Sequence, residues 1–444
     1  MPDTQKNTSS DRRMPRGIPF IIGNEAAERF SYYGMRAILV IFMTQYLRNA
    51  AGDLDVMSEA ESRAWYHAFS SAVYFFPVLG AILSDGFLGK YKTVIFLSIV
   101  YCLGHLALAV DDTRLGLSVG LGLIALGSGG IKPCVAANLG DQFTEKNQSL
   151  ISRAFGWFYF AVNGGAFVST LVTPILLNRY GASWAFGVPG LLMLLATVVF
   201  WLGRRRYIHI PPGGTAFLKE AFSGEGLRAI GRLALLYCFF AVFWSIYEQN
   251  ASTWVLQATH MDRSLFGREW LPSQIQVLNP VLVMIYIPLF TYWLYPFIGK
   301  VFPLTPNRKI GMGFFLTVPC VLIIAWVESL IQAGETPSIA WHVLAFIVLI
   351  AAEVMVYQTG LELSYTQAPN KMKSLIMSLY NLSISLGNMF ASGVNFFIGN
   401  EDGSTKMGPV QYHLFFASLM LATALAFVVA SRFFKSRTYL QEGA

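Results

Sequence analysis

Six polar side chains crowd one short stretch of the chain: Glu25, Glu28, Arg29, Tyr32, Tyr33 and Arg36. On a helix, at about 100° per residue, they share an arc of roughly 140°, with Ala26, Ala27, Phe30, Ser31 and Gly34 on the other side. Two carboxylates, two guanidiniums and two phenols on one stripe can take up, pass and release protons. Glu25 and Arg29 stand at i,i+4, the spacing of a helical ion pair. The stretch lies inside a long apolar run, with Glu28 about 15 Å along the helix axis from its start. Ionisable groups at that depth in a membrane are costly, and function is the usual reason to keep them. The competing reading is a structural ion-pair cluster tying helices together, which rarely needs six such groups.

Other apolar runs carry further charges: Lys132 in LGSGGIKPCVAAN, Glu248 in FFAVFWSIYEQNAS and Glu353 in LIAAEVMVYQTG, with Glu362 nearer an inner end. The deep set is Arg29, Arg36 and Lys132 against Glu25, Glu28, Glu248 and Glu353, one negative charge in excess. A single added proton neutralises it, the pattern of a proton relay. The deep cations all belong to the N-terminal half, and the deep charges of the C-terminal half are acidic. A cavity between the halves would then be positive on one wall and negative on the other. A zwitterion fits that field, its carboxylate toward Arg36 and Lys132 and its amine toward Glu353. Tyr32, Tyr33, Tyr74, Tyr159 and Trp244 supply apolar walls with polar handles. His67 is placed at the mouth of its helix, able to change charge near neutral pH. The segment Gly80 to Lys90 closes the second run in a tight inner turn and reads as a conformational latch, with Asp85 bonding helix ends or Lys90.

The elements that position these groups are membrane helices. The chain has 444 residues, 55% hydrophobic and only 13% charged, about half the charge of a soluble domain. Mean hydropathy is +0.50. The net charge of +7 does not imply nucleic acid, because the cations form short clusters between apolar runs rather than a basic face. Twelve runs reach the ~20 residues of a membrane helix: 18–47, 62–84, 92–110, 115–139, 152–177, 184–202, 229–258, 275–299, 309–331, 338–365, 374–398 and 409–433. They predict an all-α integral membrane protein of two six-helix bundles, 18–202 and 229–433. A cytoplasmic tail 1–17, a linker 203–228 and a tail 434–444 flank them. With the N-terminus inside, inner segments carry most of the 32 Lys and Arg residues, which places both termini in the cytoplasm. Cys102, Cys134, Cys238 and Cys320 sit in apolar runs and read as small core residues. No metal-ligand cluster and no nucleophile–base motif is present, so no metal, cofactor or enzyme activity is expected.

With these residues in view, the sequence resembles the proton-dependent oligopeptide transporters of the major facilitator superfamily. Glu25-Ala-Ala-Glu28-Arg29-Phe30 followed by Tyr32-Tyr33 matches that family's ExxERFxYY motif. Gly80 to Lys90 and Phe155 to Phe167 match its second- and fifth-helix signatures. The stretch around Tyr66-His67 looks closest to animal members, which place a functional histidine there. The resemblance implies proton coupling through Glu25, Glu28, Lys132 and Glu248, and a peptide carboxylate site on Arg36 and Lys132 beside Tyr33, Tyr74 and Asn163. It implies an amine site on Glu353 and Asn279 with Trp244 as a wall. Two features depart from the family: Tyr380 follows Met372-Lys373-Ser374 where many members carry a tryptophan, and the linker is too short for the two additional helices of many bacterial members.

The expectation is a secondary active transporter, a proton-coupled symporter of di- and tripeptides in the cell (inner) membrane. Protonation would weaken a carboxylate–cation pair, Lys132 with Glu248 or Glu28 with Arg29, and let the halves rock. Protons, peptides and membrane lipid are its partners. The alternatives are a family member carrying another small anionic or zwitterionic solute, and a peptide sensor that binds without transport.

Overall fold

The computed structural model describes residues 13–144, 147, 150–212, 214, 224–367, 373–400 and 403–432. Most of the N-terminal tail, part of the linker 203–228, Met372 and the tail 434–444 lie outside the described residues.

The first half comprises α1 (Ile18–Gln45), α2 (Glu59–Leu83), α3 (Lys90–Val110), α4 (Arg114–Asp141), α5 (Ile151–Tyr180) and α6 (Ala182–Leu202). The second comprises α7 (Gly224–Tyr247), α8 (Leu278–Leu289), α9 (Pro306–Gln332), α10 (Ala340–Gln367), α11 (Lys373–Ile398) and α12 (Pro409–Ala430). Three spans are irregular among the described residues, with a π turn (Ser84–Leu88) continuing α2. A 3₁₀ turn (Glu248–Ala251) and a short helix (Thr253–Gln257) continue α7, while a π turn (Phe290–Leu294) interrupts the eighth span. Local chemistry sets the helix ends. The side chains of Ser58, Thr113 and Thr305 cap α2, α4 and α9 by accepting backbone N–H bonds three residues on. Gly89, at φ 77°, turns the chain from α2 into α3.

Contacts repeat between the halves. The pairs α1·α5, α1·α6, α2·α4, α3·α4 and α3·α6 have counterparts in α7·α11, α7·α12, α8·α10, α9·α10 and α9·α12. Each half has its own apolar core. This is the two-bundle repeat of transporters whose halves rock about a central site. Close approach depends on small residues: a Cβ on Gly80 of α2 would stand 2.6 Å from the Gly130 Cα of α4.

Nine helices among the described residues are long and apolar enough to cross a membrane by length and composition, and α1, α7 and α11 are not among them. The reason in α1 is its four ionisable side chains. In α11 the polar residues form a seam against α2. Arg63 Nε donates to Asn395 Oδ1 at 3.0 Å, Ser392 Oγ donates to the Ala64 carbonyl at 2.9 Å, and Ser71 Oγ meets Ser385 Oγ at 3.0 Å. The halves therefore close on each other through the first half of α2 and the last half of α11. On the same side, Gln274 Nε2 donates to the Leu171 carbonyl of α5 at 3.0 Å.

Candidate functional site

Below that seam the halves part around a cavity of about 490 Å³, within the range of small-molecule sites. Tyr33, Arg36, Tyr74, Tyr159 and Asn163 line it from the first half. Trp244, Glu248, Asn279 and Glu353 line it from the second. Nine of the residues expected in the binding site are thus brought together from six helices. The cavity reaches from Asn250 and Gln276 at the closed end to Ile287 and Leu361 toward the other.

The stripe on α1 divides its work. Arg29 Nε holds Glu25 Oε1 at 2.6 Å and Glu28 Oε2 at 3.0 Å. Ser128 Oγ on α4 donates to Glu28 Oε1 at 2.8 Å. All three charged groups are buried and none lines the cavity. One guanidinium answering two carboxylates leaves this cluster one positive charge short, so it can accept a proton while keeping an ion pair.

Two turns along α1, Arg36 bonds both the Tyr66 hydroxyl and the Glu248 carboxylate. The second bond ties the two halves across the cavity. It corrects the expected pairing of Lys132 with Glu248. No carboxylate lies within ion-pair distance of Lys132 among the described residues. Its ammonium sits over the rings of Tyr32, at 4.1 Å, and Tyr74, at 4.7 Å, from their centroids, and the two aromatic faces attract it. Lys132 does not line the cavity, and neither does Tyr32. Tyr32 is fully buried, edge-on to Tyr33 at 5.4 Å, and serves as the face beneath Lys132 rather than as a wall.

His67 is not at a mouth. It is fully buried, with Nδ1 2.8 Å from Asn388 Oδ1 and Nε2 3.1 Å from Ser252 Oγ. It therefore joins α2 to α11 and to the turn after α7, as part of the seam. In the second-helix turn, one of the two expected partners of Asp85 is excluded: Lys90 Nζ pairs with Asp141 Oδ2 at 2.6 Å, and Asp85 accepts from Ser84 Oγ, at the end of α2, at 3.1 Å. Tyr380, the departure from the family pattern, is buried against Tyr237, Phe240 and Tyr357 behind the cavity wall.

Sequence reading missed Tyr247, Tyr357, Asn250 and Gln276, all on the cavity surface. Tyr247 had a signal: it stands three residues after Trp244, on the same helical face. Gln276 had none, because it lies in the 3₁₀ turn Pro272–Val277 that precedes α8. Among the described residues no group of three or more His, Cys, Asp or Glu side chains could hold a metal ion.

Two six-helix halves around a central cavity define an integral membrane protein of the major facilitator type. Residues 91–224 and 219–407 match the POT family, and the chain belongs to that family. It is 37% identical over 349 residues to "Peptide transporter family 1" of Drosophila melanogaster, covering 68% of this chain and 46% of that protein. It is 39% identical over 366 residues to "Solute carrier family 15 member 2" of Homo sapiens, covering 71% and 49%. The chain spans about half the length of the curated relatives it matches. Solved structures match nearly end to end. The POT family transporter PepTSo superposes with a TM-score of 0.85 at 34% identity over 95% of this chain and 98% of that one. An auto-inhibited POT family peptide transporter gives 0.85 at 33% over 97% and 99%.

Proposed function

We propose that this protein is a proton-coupled symporter of di- and tripeptides that works by alternating access, with both termini in the cytoplasm of the cell (inner) membrane. The observation that carries the reading is the pair of unequal carboxylates in one cavity. Glu248 is taken up by Arg36, whereas Glu353 keeps a buried oxygen, Oε2, with no hydrogen-bond partner. A buried polar atom without a partner is costly, and a peptide ammonium supplies the missing donor. The other end of the peptide is a carboxylate, and Arg36 is the cation on the cavity surface. It becomes available when Glu248 takes a proton and loses its attraction for the guanidinium. Proton and peptide thus compete for one tie, and breaking it releases one half from the other.

The proton path in this reading runs through the Glu25–Glu28–Arg29 cluster and Glu248. Lys132, held between aromatic rings, biases that path by its charge, and His67 acts through the seam. Asn163 and Asn279 add polar contacts to the peptide backbone, with Tyr33, Tyr74, Tyr159 and Trp244 as walls. With the termini in the cytoplasm, the seam lies at the outer end, so the conformation is closed outside and opens inward. The relatives' printed names, which include peptide transporters, support the substrate class.

The test is uptake of labelled dialanine into proteoliposomes. Accumulation above equilibrium under an inward proton gradient, and filling to equilibrium without one, is the expected result. Binding without accumulation in either condition would make the protein a sensor or a carrier of another solute.

A further inference from the structure

A second cavity, of about 560 Å³, opens at the end of the first half away from the seam, where α2 turns into α3, α4 stops and the chain leaves α6. It shares no lining residue with the central cavity. Lys90, Lys92, Arg204 and Arg205 stand on its wall against one acid, Asp141. Lys90 Nζ is paired with Asp141 Oδ2 at 2.6 Å. Lys92 and Arg205 are exposed and form no ion pair among the described residues, so the wall keeps an excess of positive charge. The first turn of α3, from Gly89 to Lys92, also borders the cavity, and no side chain caps it. An uncapped helix start presents backbone N–H groups and the positive end of the dipole. A buried amide shows which kind of atom is missing there. Ile208 N donates to Gln142 Oε1 at 2.9 Å. A backbone N–H only donates, so the other end of that amide is its NH2 group, and it donates to Asn138 Oδ1 at 3.1 Å. Asn138 thus accepts with its oxygen, and its own NH2 group is the end left over. Asn138 lines the cavity at 3% exposure, and its Nδ2 has no hydrogen-bond partner. A buried donor without an acceptor is costly, so the missing group is an acceptor.

We propose that this second cavity binds a phosphate ester: Asn138 Nδ2 and the first amides of α3 donate to the phosphate oxygens, and Lys92 and Arg205 balance their charge. Unpaired cations, a helix start and a buried donor all ask for an anion with several acceptor oxygens, which a phosphate supplies. The cavity has room for the ester's substituent as well. Its rim is apolar and exposed at Leu88, Ile208 and Ile210, a surface on which acyl chains can lie. Basic pockets at the ends of membrane helices suit anionic lipid headgroups, and a soluble phosphate ester presents the same oxygens. The inference is independent of the peptide reading, since no residue of the central cavity takes part.

The test uses the full chain in dodecyl maltoside and probes built on one glycerol. Dioctanoyl phosphatidic acid carries phosphate and acyl chains, glycerol 3-phosphate the phosphate alone, and dioctanoylglycerol the chains alone. Native mass spectrometry reads the two lipids and titration calorimetry the soluble ester. Phosphatidic acid is expected to bind and dioctanoylglycerol not to. Glycerol 3-phosphate binding as tightly as phosphatidic acid supports the site with a soluble ester as its ligand, and much weaker binding supports it with a lipid headgroup. Asn138→Asp keeps the acceptor for Gln142 and turns the free donor into a charged acceptor, so it should weaken phosphatidic acid at least about tenfold. Arg205→Gln, on an exposed side chain, should weaken it severalfold and carries the test should Asn138→Asp not fold. Equal binding of dioctanoylglycerol and phosphatidic acid, no binding of either phosphate ester, or an unchanged affinity in every variant that folds would overturn the proposal. No peptide and no proton gradient enters the measurement, so such a failure leaves the transport reading standing, and a failure to accumulate dialanine leaves this site standing.

Discussion

The α1 side and the α10 side of the cavity treat buried charge differently. On the α1 side the charges are paired or covered off the cavity surface: Arg29 pairs with Glu25 and Glu28, Ser128 donates to Glu28, and the rings of Tyr32 and Tyr74 cover Lys132, although Glu25 Oε2 and Glu28 Oε2 have no hydrogen-bond partner. On the α10 side Glu353 lines the cavity, forms no ion pair among the described residues and also leaves Oε2 without a hydrogen-bond partner. Between them, the Arg36–Glu248 pair belongs to both walls. A paired cluster off the cavity surface can change its protonation state without substrate contact. A cavity carboxylate with no ion pair gains most from an ammonium. On the proposed reading, coupling belongs to the first side and recognition to the second, and the tie between them joins the two events.

Separating the walls by mutation gives a graded series. The largest effect is expected for Glu28→Gln, which removes the proton acceptor from the Arg29-paired cluster. Gradient-driven accumulation of dialanine should be abolished while exchange of internal for external peptide persists in counterflow assays. Uphill uptake equal to that of the native protein would remove Glu28 from the coupling wall. Next comes Glu353→Ala, which should raise KM for dialanine by roughly 10- to 100-fold, since hydrogen bonds to charged groups contribute about 1.5–3 kcal/mol. N-blocked peptides should lose no more than a few-fold, and equal losses would take Glu353 out of the amine site.

A smaller effect should follow at the seam. Asn388→Ala deletes the partner of His67 Nδ1 and leaves a buried ring nitrogen unpaired, a change worth about 1–3 kcal/mol. The outer end should open more often, read as a severalfold rise in the labelling rate of a cysteine placed at Ser385. An unchanged rate would show that the seam is packing rather than a latch. The smallest effect is expected for Ser128→Ala, which removes one neutral donor from Glu28. It should shift the pH midpoint of transport modestly and leave the KM ratio of dialanine to N-acetyl-dialanine unchanged. A change in that ratio would mean that the walls are not separate.

Much of this arrangement was legible in the sequence because it is local. The apolar runs located the twelve helices α1–α12, with helix starts moving by no more than five residues, as for α7 at Gly224, and nine of the spans among the described residues are apolar enough to cross a membrane by length and composition. Helical spacing alone placed Arg29 against Glu25. The misread pairs are those whose partners are far apart along the chain. Arg36 and Glu248 are 212 residues apart and Lys90 and Asp141 are 51 apart, and no periodicity links them. The pairing of Lys132 with Glu248 was implied by the family resemblance, not by charge or spacing. The packing of α4 against α1 and α2 offered it aromatic faces instead. His67 was misplaced for a related reason: distance along α2 gives depth, but its partners on α11 and after α7 decide which way the ring is buried. Tyr247 went unremarked beside Glu248, because its bond from Asn279 of α8 joins it to a residue that neighbours it only in three dimensions.

The most direct test of coupling between the walls is peptide-driven proton entry. Proteoliposomes carrying an internal pH dye, with the membrane potential clamped, receive dialanine outside and no preset pH gradient. The account predicts that the interior acidifies with dialanine, acidifies less with N-acetyl-dialanine and stays constant with Glu28→Gln. Dialanine entry into the native proteoliposomes without acidification would contradict it.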